Sequence, residues 1–148
     1  MTTFAKGMII GGVSIVLILI VGIGLAVYWV SQQTGPLVAR AKDAMEDGVR
    51  FGGTTDNKGC VTEALRRYKK EPGFTAAIAS NTFMTACLKV SRPTEGFCDD
   101  VPGITEFMKT AEWQKDQCAR EGLVKDALCP QLFSPISSYC ERRRSAEK

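Results

Sequence analysis

The sequence predicts an all-α protein: a single N-terminal transmembrane helix followed by a small disulfide-stapled helical domain. Three observations predict it. The run Gly7–Val30, GMIIGGVSIVLILIVGIGLAVYWV, carries no charged residue. All six cysteines lie after that run. The rest of the chain repeats its apolar residues at helical spacing and has no run of alternating β-branched residues, the pattern of a half-buried strand.

The apolar run comes first in the chain. A bilayer core about 30 Å thick needs ~20 apolar residues at helical rise, and Gly7–Val30 supplies them. A secretory signal has a shorter apolar core and a small-residue cleavage site. Gly24-Leu25-Ala26 is a poor version of such a site, whereas Tyr28 and Trp29 fit an aromatic pair at headgroup depth. A retained anchor is therefore expected. Gly7-x-x-x-Gly11 and Gly22-x-x-x-Ala26 place small residues four apart, the spacing that lets membrane helices pack closely and self-associate. Glycine is common in membrane helices in any case, so the spacing alone does not decide the point.

Flanking charge does not orient this anchor. Lys6 and the amino terminus precede it, and Arg40, Lys42 and Arg50 follow it. The cysteines break the tie. Cys60, Cys87, Cys98, Cys118, Cys129 and Cys140 form an even set in a domain short enough to benefit from cross-links, and disulfides persist in oxidising compartments. The expected organisation is a short cytoplasmic tail (1–6), the anchor (7–30), a juxtamembrane amphipathic helix and linker (31–55) and an extracytoplasmic helical cysteine-rich domain (56–148), placed in the periplasm or another space outside the cytoplasm.

The elements then follow in order. Gly35-Pro36 separates the anchor from an amphipathic helix over Leu37–Arg50. Its apolar face is Leu37, Val38, Ala41, Met45 and Val49, and Gly52-Gly53 closes it. Asp56 and Asn57 offer caps for a helix from about Cys60 to Lys70, with Val61, Ala64, Leu65 and Tyr68 inward and Glu63–Arg67 as an i,i+4 pair outside. Glu71-Pro72-Gly73 stops it. Phe74–Val90 has no charge before Lys89 and is apolar almost all round, which marks a central, buried helix. A turn-rich connector, Ser91–Gly103, leads to a helix expected to open at Pro102 and to end before Gly122. Ile104, Phe107, Met108, Ala111 and Cys118 share one face of it, with Trp113 on the other side. Leu123–Cys129 reads as a short helix ended by Pro130, and Pro135 opens the last helix.

Composition limits the chemistry. The chain has no histidine, which excludes Ser-His-Asp and Cys-His nucleophile systems and histidine-ligated zinc. It has no Cys-x-x-Cys motif, and its cysteines lack the close pairs of an all-cysteine zinc site. Asp99-Asp100 is the residue pair of a capped helix start more often than of a metal or acid/base site. Lys plus Arg number 19 against 16 Asp plus Glu, for a net charge of +3, which is no nucleic-acid footprint. No internal period recurs. The expectation is therefore a non-enzymatic module without cofactor or metal. It would work by binding, as an accessory or assembly subunit of an envelope protein complex. The alternatives are a lipid- or envelope-polymer-binding module and a histidine-free envelope enzyme.

Three sets of residues carry the binding expectations. Trp113 is assigned to a protein partner, because Trp is enriched at the energetic centres of interfaces. Arg66, Arg67, Lys69 and Lys70 on one helix, with Arg142, Arg143 and Arg144 near the C-terminus, form the basic groups that would face anionic headgroups or an acidic partner. For the cysteines, residues equidistant from a helix–helix turn lie side by side. The midpoint of Cys60 and Cys87 falls at Pro72-Gly73, and that of Cys118 and Cys129 just past Gly122, which leaves Cys98 with Cys140. Cys118–Cys140 with Cys98–Cys129 stays open as a rival.

Overall fold

The computed structural model describes residues 2–146. The side chains of residues 2–15, 33 and 34 lie outside the description, and with them the predicted small-residue positions Gly7 and Gly11. Six helices occur in order: α1 (Thr2–Gly52), α2 (Asn57–Lys70), α3 (Phe74–Val90), α4 (Phe107–Arg120), α5 (Cys129–Leu132) and α6 (Ser134–Ala146). Among the described residues there is no strand, only an isolated parallel bridge between Asp56 and Arg92. The chain divides into two compact units, one ending at Val38 and the other beginning at Ala39.

In the first unit every large apolar side chain from Val16 to Val30 is exposed. Among the described residues no single helix is long and apolar enough to cross a membrane, although Val16–Gln32 and Gly35–Gly52 meet that requirement counted together. The helix does not end at Gly35-Pro36, since α1 runs through Pro36, although the chain divides into its two units just after it. A proline removes one i→i−4 hydrogen bond and strains the turn before it, but it need not end a helix whose flanks stay helical.

The second unit is built around α3, whose Ala77, Phe83, Met84, Cys87 and Leu88 are all buried. Its threonines are accommodated by bonding back along the helix, Thr82 to the Ile78 carbonyl at 2.9 Å and Thr85 to that of Asn81 at 2.8 Å. The α2–α3 hairpin turns at Gly73, whose φ of 147° favours glycine. Asp56 caps α2 by accepting the Gly59 N–H at 2.8 Å. Asn57 is 1% exposed and ties the far end of the hairpin together. Its amide donates to Ser91 Oγ at 2.9 Å, and its carbonyl accepts the Thr94 N–H at 2.9 Å.

The end of α1 packs on α3 through small residues, not through the face expected from hydrophobicity. Val38, Met45 and Val49 are about half to two-thirds exposed, whereas Ala44, Gly48 and Gly52 are buried. A Cβ on Gly48 would lie 2.4 Å from the Phe83 carbonyl oxygen, and one on Gly52 would lie 2.6 Å from that of Cys87. The two backbones approach so closely that only Ala-x-x-x-Gly-x-x-x-Gly fits, which leaves the larger Met45 and Val49 at the edge.

α4 differs from expectation at its start and in its facing. It begins at Phe107, not at Pro102. Val101 is buried, and its carbonyl accepts a hydrogen bond from the Arg144 guanidinium. The Glu106 carboxylate accepts the Gly103 N–H at 3.1 Å. These bonds hold residues 101–106 as a turn. The buried or half-buried positions of α4 are Thr110, Trp113, Gln114, Gln117 and Cys118, so the helix is rotated away from the face that carries Phe107 and Met108. Its end is as expected: Gly122 has φ 74°, its N–H bonds the Ala119 carbonyl, and the Leu123 N–H bonds that of Cys118 at 2.8 Å. Residues 123–128 form turns in place of the expected short helix. Pro130 sits in the first turn of α5 and does not end a preceding helix, since a proline N–H is not needed there.

Three disulfides staple this unit: Cys60–Cys87, Cys98–Cys140 and Cys118–Cys129, with sequence separations of 27, 42 and 11. Cys60–Cys87 and Cys118–Cys129 are the pairs selected by the hairpin midpoints, and Cys98–Cys140 is the pair that those two leave. All six cysteines are used.

Candidate functional site

The feature of the helical unit that burial does not explain is an apolar stripe on α4 and the turn before it. Phe107 is 78% exposed, Met108 76% and Ile104 49%, and Ala111 continues the stripe. Spacings of three and four put Phe107, Met108 and Ala111 on one side of the helix. The surrounding polar residues are paired locally, as in the 2.6 Å contact of Lys109 with Glu106.

Trp113 lies on the inward side of the same helix. It is half-buried against the core, with its ring edge-on to Phe133 at 6.0 Å between centroids. Sequence periodicity separates Trp113 from Phe107 and Met108; Trp113 packs against the core, as does Cys118 from the other face.

The basic residues divide by their partners. Arg66 and Arg67 both reach Glu63 at 2.8 Å, and Arg67 also contacts Asp47 at 3.1 Å. The Arg67 guanidinium stacks 4.0 Å from the centre of the Phe83 ring. The bond from Arg66, reinforced by Arg67, holds the Glu63 carboxyl down to about 2. This cluster joins α1, α2 and α3. Lys69 pairs with Glu121 at 2.6 Å, while Lys70 is exposed at the end of α2. Arg144 is held by Val101 and Glu141, Arg142 is exposed beside the α3–α6 groove, and Arg143 lines a separate polar cavity with Arg144. The two basic groups line different cavities.

That polar cavity, about 700 Å³, also takes in Asp99 and Glu106, with Phe97 and Tyr139 stacked edge-on in its wall. The Lys109 ammonium beside Glu106, with the Gly103 N–H, keeps the Glu106 carboxyl below its usual range. That is the reverse of the upward shift a carboxyl needs to act as general acid near neutrality. Elsewhere, burial and the nearby Asp126 carboxylate push the Tyr68 phenol up to about 12, and that phenol donates to Asp126 at 2.6 Å. No cluster of three or more metal-ligating side chains occurs among the described residues.

Of the membrane-interface pair, Tyr28 and Trp29 are 62% and 68% exposed, and the Tyr28 hydroxyl accepts from Gln32 at 3.2 Å. Gly22 has open space around its missing Cβ. Compared with known family models, curated proteins and solved structures, the chain matches none.

Proposed function

We propose that the chain is a single-pass, membrane-anchored interaction module, an accessory or assembly subunit of an envelope complex. Its helical domain would stand outside the cytoplasm and bind a protein partner through the α4 stripe. The observation that carries this reading is the exposure of Phe107 and Met108 on a helix held firmly by its other side. Covering each would contribute about 1.5–3 kcal/mol, and exposed apolar patches rimmed by polar residues are characteristic of interaction surfaces. The uncharged run ending at Val30 supports the anchor. The complete use of the cysteines in disulfides supports an oxidising compartment.

The lowered Glu106 carboxyl and the absence of histidine weigh against the enzymatic alternative. The expected result is that Phe107→Glu with Met108→Glu removes a complex resolved in gentle detergent while leaving the melting temperature of the domain unchanged. An unaltered complex refutes the assignment of the stripe. A reporter that is active only outside the cytoplasm, fused after Lys148, should be active; an inactive fusion refutes export.

A further inference from the structure

Resting on the anchored reading above, we propose that the end of the helical unit formed by the α2–α3 turn and the segment after α4 is a docking surface for anionic phospholipid in the bilayer that holds the anchor. Geometry gathers this surface at one end of the unit. Pro72 and Gly73 line a cleft with Gly122 and Lys125, and on the other side Arg40 lines a cavity with Lys70, Glu71 and Thr75. Arg40, the turn Lys70–Phe74 and the segment Gly122–Lys125 therefore share that end.

Chain connectivity says what this end can reach. Val30 closes the apolar run, and Arg40 follows it by roughly ten residues, which span about 35 Å at most when fully extended. A bilayer that holds the apolar run is therefore within reach of the Arg40 end.

The surface chemistry fits a bilayer. Phe74 is 63% exposed and Val124 74% exposed. A Phe ring on the apolar side of a basic interfacial surface is suited to burial at the boundary of headgroups and acyl chains. Arg40, Lys70 and Lys125 are exposed around them. Of the acids at this end, Glu121 is paired with Lys69, which leaves Glu71 and Asp126 against Arg40, Lys70 and Lys125. The α4 stripe is a separate surface: Phe107 lies a full helix away from Glu121, about 20 Å at helical rise.

The test uses the full chain reconstituted into vesicles with brominated acyl chains, made from phosphatidylglycerol with phosphatidylcholine or from phosphatidylcholine alone. Phe74→Trp adds one emitter to the two tryptophans already present. The difference from the parent chain reports the depth of position 74. The added emission should be quenched in the anionic vesicles and far less in the uncharged ones. Lys70→Glu and Lys125→Glu should each lower the docked-to-free ratio by about fivefold or more. Added emission that stays unquenched in anionic vesicles, from a chain that survives an alkaline wash, overturns the docking surface and leaves the anchor standing. Quenching indifferent to lipid charge overturns the anionic specificity. A chain stripped by the wash overturns the anchor and the docking together.

Discussion

Glu63 shows how one side chain can hold three helices. Its carboxylate takes both Arg66 and Arg67, and Arg67 passes the contact on to Asp47 of α1 and the Phe83 ring of α3. Because its folded value lies near 2 against an ordinary 4.5, the stability it contributes is present above the ordinary value. That stability is lost as pH falls through the window from about 4.5 to about 2. Arg66 is mostly solvated, so the contribution is about 1–2 kcal/mol, less than the full shift implies. Denaturant titrations over this window should show the wild type losing that amount more than Glu63→Gln, which is already deprived of it. Equal acid sensitivity in both proteins would refute the role. The i,i+4 pairing of Glu63 with Arg67 was legible in the sequence. The contact of Arg67 with Phe83 was not, because nothing local says which charged side chain will lie across an aromatic ring contributed by another helix.

At the scale of elements, the legible helices were α2, whose Ala64, Leu65 and Tyr68 turn inward as their spacing says, and α3, whose uncharged length marks burial on all sides. The illegible ones were those that break the usual relation of size to burial. The end of α1 buries Ala44, Gly48 and Gly52 and leaves Met45 and Val49 out, because close backbone approach was worth more here than side-chain bulk. α4 turns Thr110, Gln114 and Gln117 inward and Phe107 and Met108 outward, so a rule that sends apolar residues inside chooses the wrong face. Gly48→Ala tests the first case. Its methyl would meet backbone at 2.4 Å, with no flexible side chain to give way. The expected cost is about 1–3 kcal/mol, as for other overpacked sites, read as a lower melting temperature and faster proteolysis in α1. A neutral substitution would show that α1 and α3 are less closely apposed.

For the whole molecule, the cross-links matter more than any single contact. The core is small, with Tyr68, Phe83 and Phe133 as its largest fully buried side chains. A domain of this size has a stability of about 5–15 kcal/mol. In the chain-entropy model, the Cys60–Cys87 bond contributes about 3–4 kcal/mol, Cys98–Cys140 about 4 and Cys118–Cys129 about 3. Replacing Cys60 and Cys87 together by Ala should remove the first amount, and reducing all three bonds should unfold the domain, as followed by far-UV circular dichroism. Retention of full helicity under reduction would show that packing alone suffices. Two of these bonds span the turns from which the sequence selects them, and the third was reached by elimination, not by any signal of its own.

The nesting of those bonds constrains the order in which the domain can be finished. Cys98 pairs with Cys140 across Cys118 and Cys129, which pair with each other. A chain oxidised from its N-terminal end onward can close Cys60–Cys87 at once. Its next thiol, Cys98, must then wait while two wrong partners appear before the right one. Cys87 and Cys98 are as close in sequence as Cys118 and Cys129, whose separation is 11. Loop closure by itself therefore gives a Cys87–Cys98 mispair no disadvantage. Only prior coiling of α2 and α3 brings Cys60 to Cys87 in time, so maturation depends on the hairpin forming ahead of oxidation or on thiol exchange afterwards.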